Sequence, residues 1–488
     1  MTRRSRSEEI ADDLRLLVEA ALPGTKLPAT RTLVTRYRTS PVTIQHAIAR
    51  LVADGLVESR RGAGNYVRER PPIVVTRDFT WQANSLPEPG AVAVQPDSAP
   101  RYPEPTIRLD QFYPAGDFLP LYAYHWSSLR STQNIPAAQR LPPMDGNPQL
   151  REHFAQSLTR QGGARFAASD VIVTTGAQEA LSVIFRTLAA PGDAVVMEAP
   201  TYPGAIAAAR AAGLRPVGIS RTDDGIDPEH LLGAFQTSGA KLFYAQPTAH
   251  VPTGTSWAEE VRSAALAVAR RCNAFVIEDD WARDFGFRSA PRPLICDDEH
   301  GAVIHIRTLS ASMGPALRVA AVTSRGEVTD RIRQVRAVEN GFVSPHLQEI
   351  AVRLLDAPWW YDWNRKRSLL VHRARDSLNT SLAVHAKSLH QWHWGENGTG
   401  LWLRLPQGYR ADDVVAEVLL AGYAIAAGDP YWPEAPDGEY IRIGYTTEEG
   451  VVMENATRAL AAVLGHERMP SRIGEDGRRP NARYRKKY

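Results

Sequence analysis

VIVTTGAQEAL, residues 171–181, carries an apolar, β-branched run into a glycine and then into a helix-forming stretch, which reads as a strand turning directly into a helix. Four further runs repeat the pattern: AVVMEAP (194–200), KLFYAQP (241–247), AFVIEDD (274–280) and AVIHIRTLS (302–310), with helical stretches between them. Strands alternating with helices in this way build a largely parallel sheet covered on its faces. The fold class expected is α/β. In such sheets ligands collect at the carboxyl ends of the strands, and polar residues cluster at several of these run ends.

Working outward, the chain has 488 residues, about three times a typical domain of ~150, so several domains are expected. Hydrophobic residues at 43% and charged residues at 23% fit a folded globular protein and exclude global disorder. No run of about 18 uncharged apolar residues occurs, and the start, MTRRSRSEEIADDLR, turns acidic where a signal peptide needs an apolar stretch. Cys272 and Cys296 are the two cysteines, too few for a disulfide framework or a cysteine-built zinc site. The expectation is a cytoplasmic protein with no membrane association and no metal.

The net charge of +3 hides an uneven distribution. Residues 1–70 carry thirteen Lys and Arg against eight Asp and Glu, the tail 471–488 carries seven against two, and the remainder is therefore acidic at −7. Two basic ends around an acidic body point to a polyanion partner, although a basic tail alone also reads as a solvated end.

The basic N-terminal part has its own pattern. Ile10, Leu14, Leu17, Val18 and Ala21 recur at helical spacing up to Pro23-Gly24, and Leu33, Val34 and Tyr37 mark a second short helix over 31–37. Ser40-Pro41 starts a third, with serine as N-cap and proline at the first helical position; Ile44, Ala47, Ile48 and Leu51 form its apolar face, with Thr43, His46 and Arg50 opposite. Two short strands then flank Arg60-Arg61-Gly62-Ala63-Gly64. Three helices and a basic hairpin form a winged helix-turn-helix, whose third helix enters a major groove. PGTKLPATRTLVTRY and TSPVTIQHAIARLVADGLVESRRGAGNYV resemble the DNA-binding domain of the GntR family of bacterial regulators over residues 7–70. The resemblance implies that Arg31 and Ser40 contact operator phosphates, that Thr43 reaches bases, and that Arg61 and Gly64 touch DNA from the wing. His46, Arg60 and Gly62 join them as candidates. Pro41 stands where the family usually carries an arginine, so the operator should differ from the usual one.

Residues 71–106 follow as a linker, with eight prolines between Pro71 and Pro105. Fully extended, such a stretch reaches on the order of 100 Å. The body is expected over 107–465, and 466–488 is expected to be a basic, disordered tail.

Within the body the polar motifs run DGNPQLR (145–151), TTGAQEAL (174–181), EAPTYPGA (198–205), QPTAHVPTG (246–254), IEDDWARDF (277–285), TLSASMGPALR (308–318) and IRIGY (441–445). In order and spacing they resemble a fold-type I aminotransferase, a pyridoxal phosphate (PLP) fold. The head, linker and body together resemble the MocR-type subgroup of GntR regulators. By that resemblance Gly176, Ala177 and Gln178 cradle a phosphate at a helix N-terminus, completed by Thr308, Ser310 and Arg318. Tyr202 stacks on the pyridine ring, Asp279 holds a proton on the ring nitrogen, and Arg442 receives a substrate carboxylate. Singly, Asp279 also reads as a strand-end cap, Tyr202 as a turn residue and Arg442 as a surface strand arginine.

The pattern breaks at the residue that does the chemistry. Relatives read S-F-S-K, with a proline four and an arginine seven residues beyond the lysine that forms the Schiff base. Aligning Pro315 and Arg318 places Ala311 there, and none of the six lysines (Lys26, Lys241, Lys366, Lys387, Lys486, Lys487) stands at an expected strand end in this constellation. Trp281 replaces the usual tyrosine beside the cofactor's phenolic oxygen, and Pro203 the arginine that often follows the tyrosine. An engineered lysine-to-alanine change in a PLP-dependent regulator accounts for Ala311 alone; natural loss accounts for all three.

The sequence therefore leads to a homodimeric, DNA-binding transcriptional regulator that reads paired half-sites. Its degenerate aminotransferase-like domain senses an effector without covalent PLP. Noncovalent PLP or pyridoxamine phosphate (PMP), or another small molecule, fits the remaining pocket. A DNA-tethered enzyme using the pocket by other chemistry, with His250 as base, is the alternative.

Overall fold

A computed structural model of the protein describes residues 5–20, 24–60, 63–68, 102–103, 105–120, 141–285, 290–391, 397–447 and 450–465. The chain divides into two compact units, Met1–Glu88 and Pro89–Tyr488. The division falls inside the stretch read as a linker, of which only 102–103 and 105–106 are described, and the tail 466–488 lies outside the described residues.

The first unit contains α1 (Arg6–Ala20), α2 (Thr30–Tyr37), α3 (Pro41–Ala53) and the antiparallel pair β1 (Val57–Arg60) and β2 (Gly64–Val67). Its core joins Ile10, Leu14 and Val18 of α1 to Leu33, then to Ile44, Ala47, Ile48 and Leu51 of α3 and to Val57 and Val67 of the hairpin. Leu17, expected in the buried stripe, is 41% exposed. The buried set includes Ala11, so the stripe centres on the Ala11 and Val18 side and Leu17 sits at its margin. Ser40 caps α3 by accepting the Thr43 amide at 3.2 Å, with Pro41 following as the first helical residue.

The second unit opens with β3 (Ile107–Arg108) and is organised on eight strands: β4 (Val171–Thr174), β5 (Ala194–Ala199), β6 (Arg215–Thr222), β7 (Gly225–Ile226), β8 (Leu242–Ala245), β9 (Phe275–Asp279), β10 (Val303–Thr308) and β11 (Ala320–Thr323). Their spatial order is β4-β11-β10-β9-β8-β5-β6-β7. Neighbours from β10 through β9, β8 and β5 to β6 are parallel, whereas β11 runs antiparallel to both β4 and β10. Both faces of the sheet are buried because successive side chains alternate. Val173, Val196, Phe243 and Val276 pack into one apolar layer, and Ile172, Val195, Tyr244 and Ile277 into the other. Each such side chain contributes about 1.5–3 kcal/mol relative to exposure, so this double layer fixes the strand ends that carry the site.

β12 (His390–Gln391), β13 (Gly400–Arg404), β14 (Tyr423–Ala424), β15 (Ala426–Ala427) and β16 (Tyr440–Gly444) complete the unit. β12, β13, β16 and β15 form a second, antiparallel sheet, and β14 pairs in parallel with β3. All five runs read as strands from the sequence are strands, each ending one or two residues earlier than its apolar run. β6 and β11 escaped that reading. β6 is interrupted by Pro216 and Gly218, and β11 opens with two alanines, so neither has a strong strand composition.

Candidate functional site

The carboxyl ends of β4, β5, β8, β9 and β10 converge on a pocket, and each supplies at least one wall residue. Ala177 and Gln178 follow β4, Tyr202 follows β5, Gln246 follows β8, Asp279 ends β9 with Trp281 two residues on, and Thr308 ends β10 with Ala311 three residues on. Phe112 and Tyr113, beyond β3, close the remaining side.

Gly176 is the N-cap of the helix Ala177–Leu188 and adopts φ +92°. A Cβ there would lie 2.5 Å from Arg318 Nη2, so glycine is what allows the guanidinium to lie against this turn. Arg318 itself sits at φ +50° and donates to the Thr175 carbonyl at 2.8 Å. The first amides of the helix have no intrahelical acceptor and carry the positive end of its dipole, so this corner presents donors and positive potential. Thr308 Oγ1 accepts the Ser310 amide at 3.2 Å, and the buried Ser310 Oγ has no partner.

Asp279 forms the floor. Its Oδ2 accepts the Tyr244 hydroxyl at 2.7 Å and Gln246 Nε2 at 2.9 Å, while Oδ1 is buried without a partner. Burial pushes its pKa up to about 6, against the lowering effect of those two hydrogen bonds. Burial also drives the Tyr244 phenol well above its ordinary value, with Asp279 adding to the effect, so Tyr244 stays a donor.

Aromatic rings line the walls. Tyr202 folds back over Gly204, where a Cβ would come within 2.4 Å of the ring. Phe112 lies 5.6 Å from Tyr202 and 5.2 Å from Trp281, centroid to centroid. The Trp281 indole N–H donates to the Ala249 carbonyl at 2.9 Å, so the polar edge of this side chain faces the protein and its apolar surface faces the pocket.

Of the residues read as a cofactor or effector site, Ala177, Gln178, Tyr202, Asp279, Trp281, Thr308 and Ala311 line the pocket. Gly176, Ser310 and Arg318 adjoin it without lining it. Arg442 does not line the pocket: it is 1% exposed, donates to the Gln111 carbonyl at 3.1 Å and to Thr399 Oγ1 at 2.9 Å, and lies 5.5 Å from the Phe112 ring at the pocket wall. His250 does not line the pocket either. Its Nδ1 is 2.8 Å from Thr253 Oγ1, and burial, reinforced by Arg221, holds its pKa well below the ordinary value. Sequence reasoning missed Phe112, Tyr113 and Gln246. Gln246 heads the QPTAHVPTG motif and was available there; Phe112 and Tyr113 lie in a stretch without periodicity.

In the first unit, Arg31, Ser40, His46, Arg60 and Gly64 are exposed and Thr43 is half-buried beside the Ser40 cap. Arg61 and Gly62 lie outside the described residues. Arg60 packs over the Tyr66 ring at 4.5 Å and pairs with Glu58, while Arg50 is held by Glu8 of α1 at 2.7 Å. Among the described residues, no helix is long and apolar enough to cross a membrane, and no cluster of His, Cys, Asp and Glu is placed to hold a metal ion.

A winged helix-turn-helix unit joined to a fold-type I aminotransferase unit defines a class of DNA-binding regulators. Residues 127–460 match the aminotransferase class I and II family, to which the chain belongs, and residues 6–67 match the gntR family of bacterial regulatory proteins. Its homologues are MocR-type regulators. The HTH-type transcriptional regulator TauR of Rhodobacter capsulatus is 25% identical over 447 residues, covering 87% of this chain and 89% of TauR. MocR of Rhizobium meliloti, described as a probable rhizopine catabolism regulatory protein, is 29% identical over 332 residues, covering 64% of this chain and 63% of MocR. The fold of the body matches LysN, an α-aminoadipate aminotransferase of Thermus thermophilus solved with N-(5'-phosphopyridoxyl)-L-leucine, at a TM-score of 0.68 and 22% identity over 74% of this chain and 92% of LysN.

Proposed function

We propose that this protein is a transcriptional regulator whose aminotransferase-type body holds a small molecule without a lysine linkage and passes its occupancy to DNA binding. One juxtaposition carries the reading. An unpartnered buried oxygen of Asp279 and the methyl group of Ala311 share a pocket in which no lysine is among the lining residues.

The residues present fit a vitamin B6 phosphate held noncovalently. Asp279 Oδ1 is an acceptor for a ring N–H, Tyr202 and Phe112 offer faces for the ring, and the Gly176 turn with Ser310 and Arg318 offers donors for a phosphate. When bound, such a group supplies an electron-poor ring and, in the aldehyde form, a carbonyl. Ala311 brings no amine to that carbonyl and has nothing with which to move a proton, so ordinary transamination lacks its base. The pocket therefore serves recognition. PMP, PLP or another planar N–H donor with an anionic arm meets its chemistry.

The regulator acts in the cytoplasm as a homodimer that reads paired half-sites. Ligand occupancy changes head spacing by linkage between the two sites. The test is borohydride treatment of protein from its native source followed by intact mass measurement, with a mobility-shift assay on its own promoter region. Unmodified mass and a sequence-preferring shift that responds to PMP support the reading. A covalently attached coenzyme, or a shift without sequence preference, overturns it.

A further inference from the structure

The outward face of α3 has a composition that selects among base pairs. Core residues Ile44, Ala47, Ile48 and Leu51 occupy one side, so Val42, Gln45, His46 and Ala49 fall together on the other, spaced three and four residues apart, and all are exposed. Val42 is 58% exposed, so its methyl groups are free to meet a partner. This face carries no lysine or arginine. The nearest, Arg50, is tied to Glu8 of α1 at 2.7 Å, and Pro41 occupies the first turn. The bidentate guanidinium contact that reads guanine in a major groove is therefore missing from the face a groove would meet.

What the face offers instead is the Gln45 carboxamide, the His46 imidazole and the branched methyl pair of Val42. A glutamine amide matches the N7 acceptor and N6 donor of adenine, and valine methyls match the 5-methyl group of thymine. Val42 and Gln45 are three residues apart on one helical face and so reach neighbouring base pairs. We propose that this protein reads each operator half-site at an adenine through Gln45 and at a neighbouring thymine methyl through Val42, making adjacent A·T pairs the sequence its third helix selects. The inference rests on the regulator reading and assigns its base specificity.

The experiment is selection of binding sites from a randomised duplex pool with the full-length protein, followed by affinity measurements on the selected site. Adjacent A·T pairs should be enriched at a fixed position in each half-site. Replacing the thymine there by uracil should weaken wild-type binding about four-fold, the effect of one methyl group, and leave Val42→Ala binding unchanged. 7-Deazaadenine at the partner position should weaken wild-type binding by about five-fold or more and leave Gln45→Ala unchanged, and Gln45→Arg should shift the preference toward guanine. Both positions are exposed, so these variants keep the folded head. Guanine at the selected positions, or uracil and deazaadenine effects that persist in the variants, overturns the assignment while leaving a sequence-specific regulator. A pool with no enriched sequence overturns the regulator reading along with it.

Discussion

Gln246 ties the floor of the pocket to its wall. Its Nε2 donates to Asp279 Oδ2 at 2.9 Å, and its Oε1 accepts the Val251 amide at 3.0 Å, which anchors the loop whose Ala249 carbonyl takes the Trp281 N–H. Its own backbone amide donates to Glu198 Oε2 at 2.8 Å, and Glu198 also accepts from Trp257 and pairs with Arg221. One side chain thus sets both the carboxylate at the pocket floor and the indole that shapes the cavity.

Gln246→Leu removes a donor from Asp279 and strands the Val251 N–H in the interior. An unsatisfied buried amide costs about 1–3 kcal/mol, so chemical denaturation should show a loss of that order, and PMP affinity by calorimetry should fall in parallel. Unchanged affinity would place the ligand away from Asp279.

Asp279 predicts a pH dependence with a definite sign. A ligand that donates to its carboxylate requires the ionised form, and with a pKa of about 6 that form is lost as the pH falls through 6. PMP binding should be about tenfold weaker at pH 5 than at its plateau above pH 7 through this group alone. Comparison with Asp279→Asn isolates this contribution from the titration of the ligand's own phosphate. The variant should bind weakly and lack the Asp279 step. A variant that keeps the full wild-type profile would remove Asp279 from the site.

Ala311→Lys returns an amine to the pocket. PLP added to this variant should become fixed to the chain by borohydride, giving a mass increase of one reduced coenzyme per subunit, while the wild type treated in the same way gains none. Fixation in the wild type would show that another amine does the work.

The parallel sheet was legible because its strands are apolar on both faces, and buried runs such as VIVT and FVIED announce themselves without a partner. The Ser40 cap and the wing were equally legible, since an N-cap and a glycine turn are local chemistry. Long-range closure was not. Phe112 reaches the pocket only because β3 pairs with β14 more than three hundred residues away, and nothing near residue 112 encodes that pairing. Arg442 shows the same limit from the other side. Its residue type and motif position fit a carboxylate receptor, but the Gln111 carbonyl and Thr399 hydroxyl that engage it come from segments whose approach the sequence does not state.

Gly176→Ala tests the anion cradle. Alanine at φ +92° is strained, and its Cβ would meet Arg318 at 2.5 Å from Nη2 and 2.8 Å from Cζ, so the guanidinium must leave the Thr175 carbonyl. Backbone strain of this kind costs about 1–3 kcal/mol, which urea denaturation reads directly. The functional part lies in a comparison of two ligands. PMP carries the phosphate that the Gly176 turn and Arg318 would hold, and pyridoxamine lacks it. The variant should lose at least about tenfold in PMP affinity, the scale of one charge-assisted contact, with pyridoxamine affinity little changed. Equal losses for the two ligands would mean that Gly176 and Arg318 shape the fold of this corner and take no part in holding an anion.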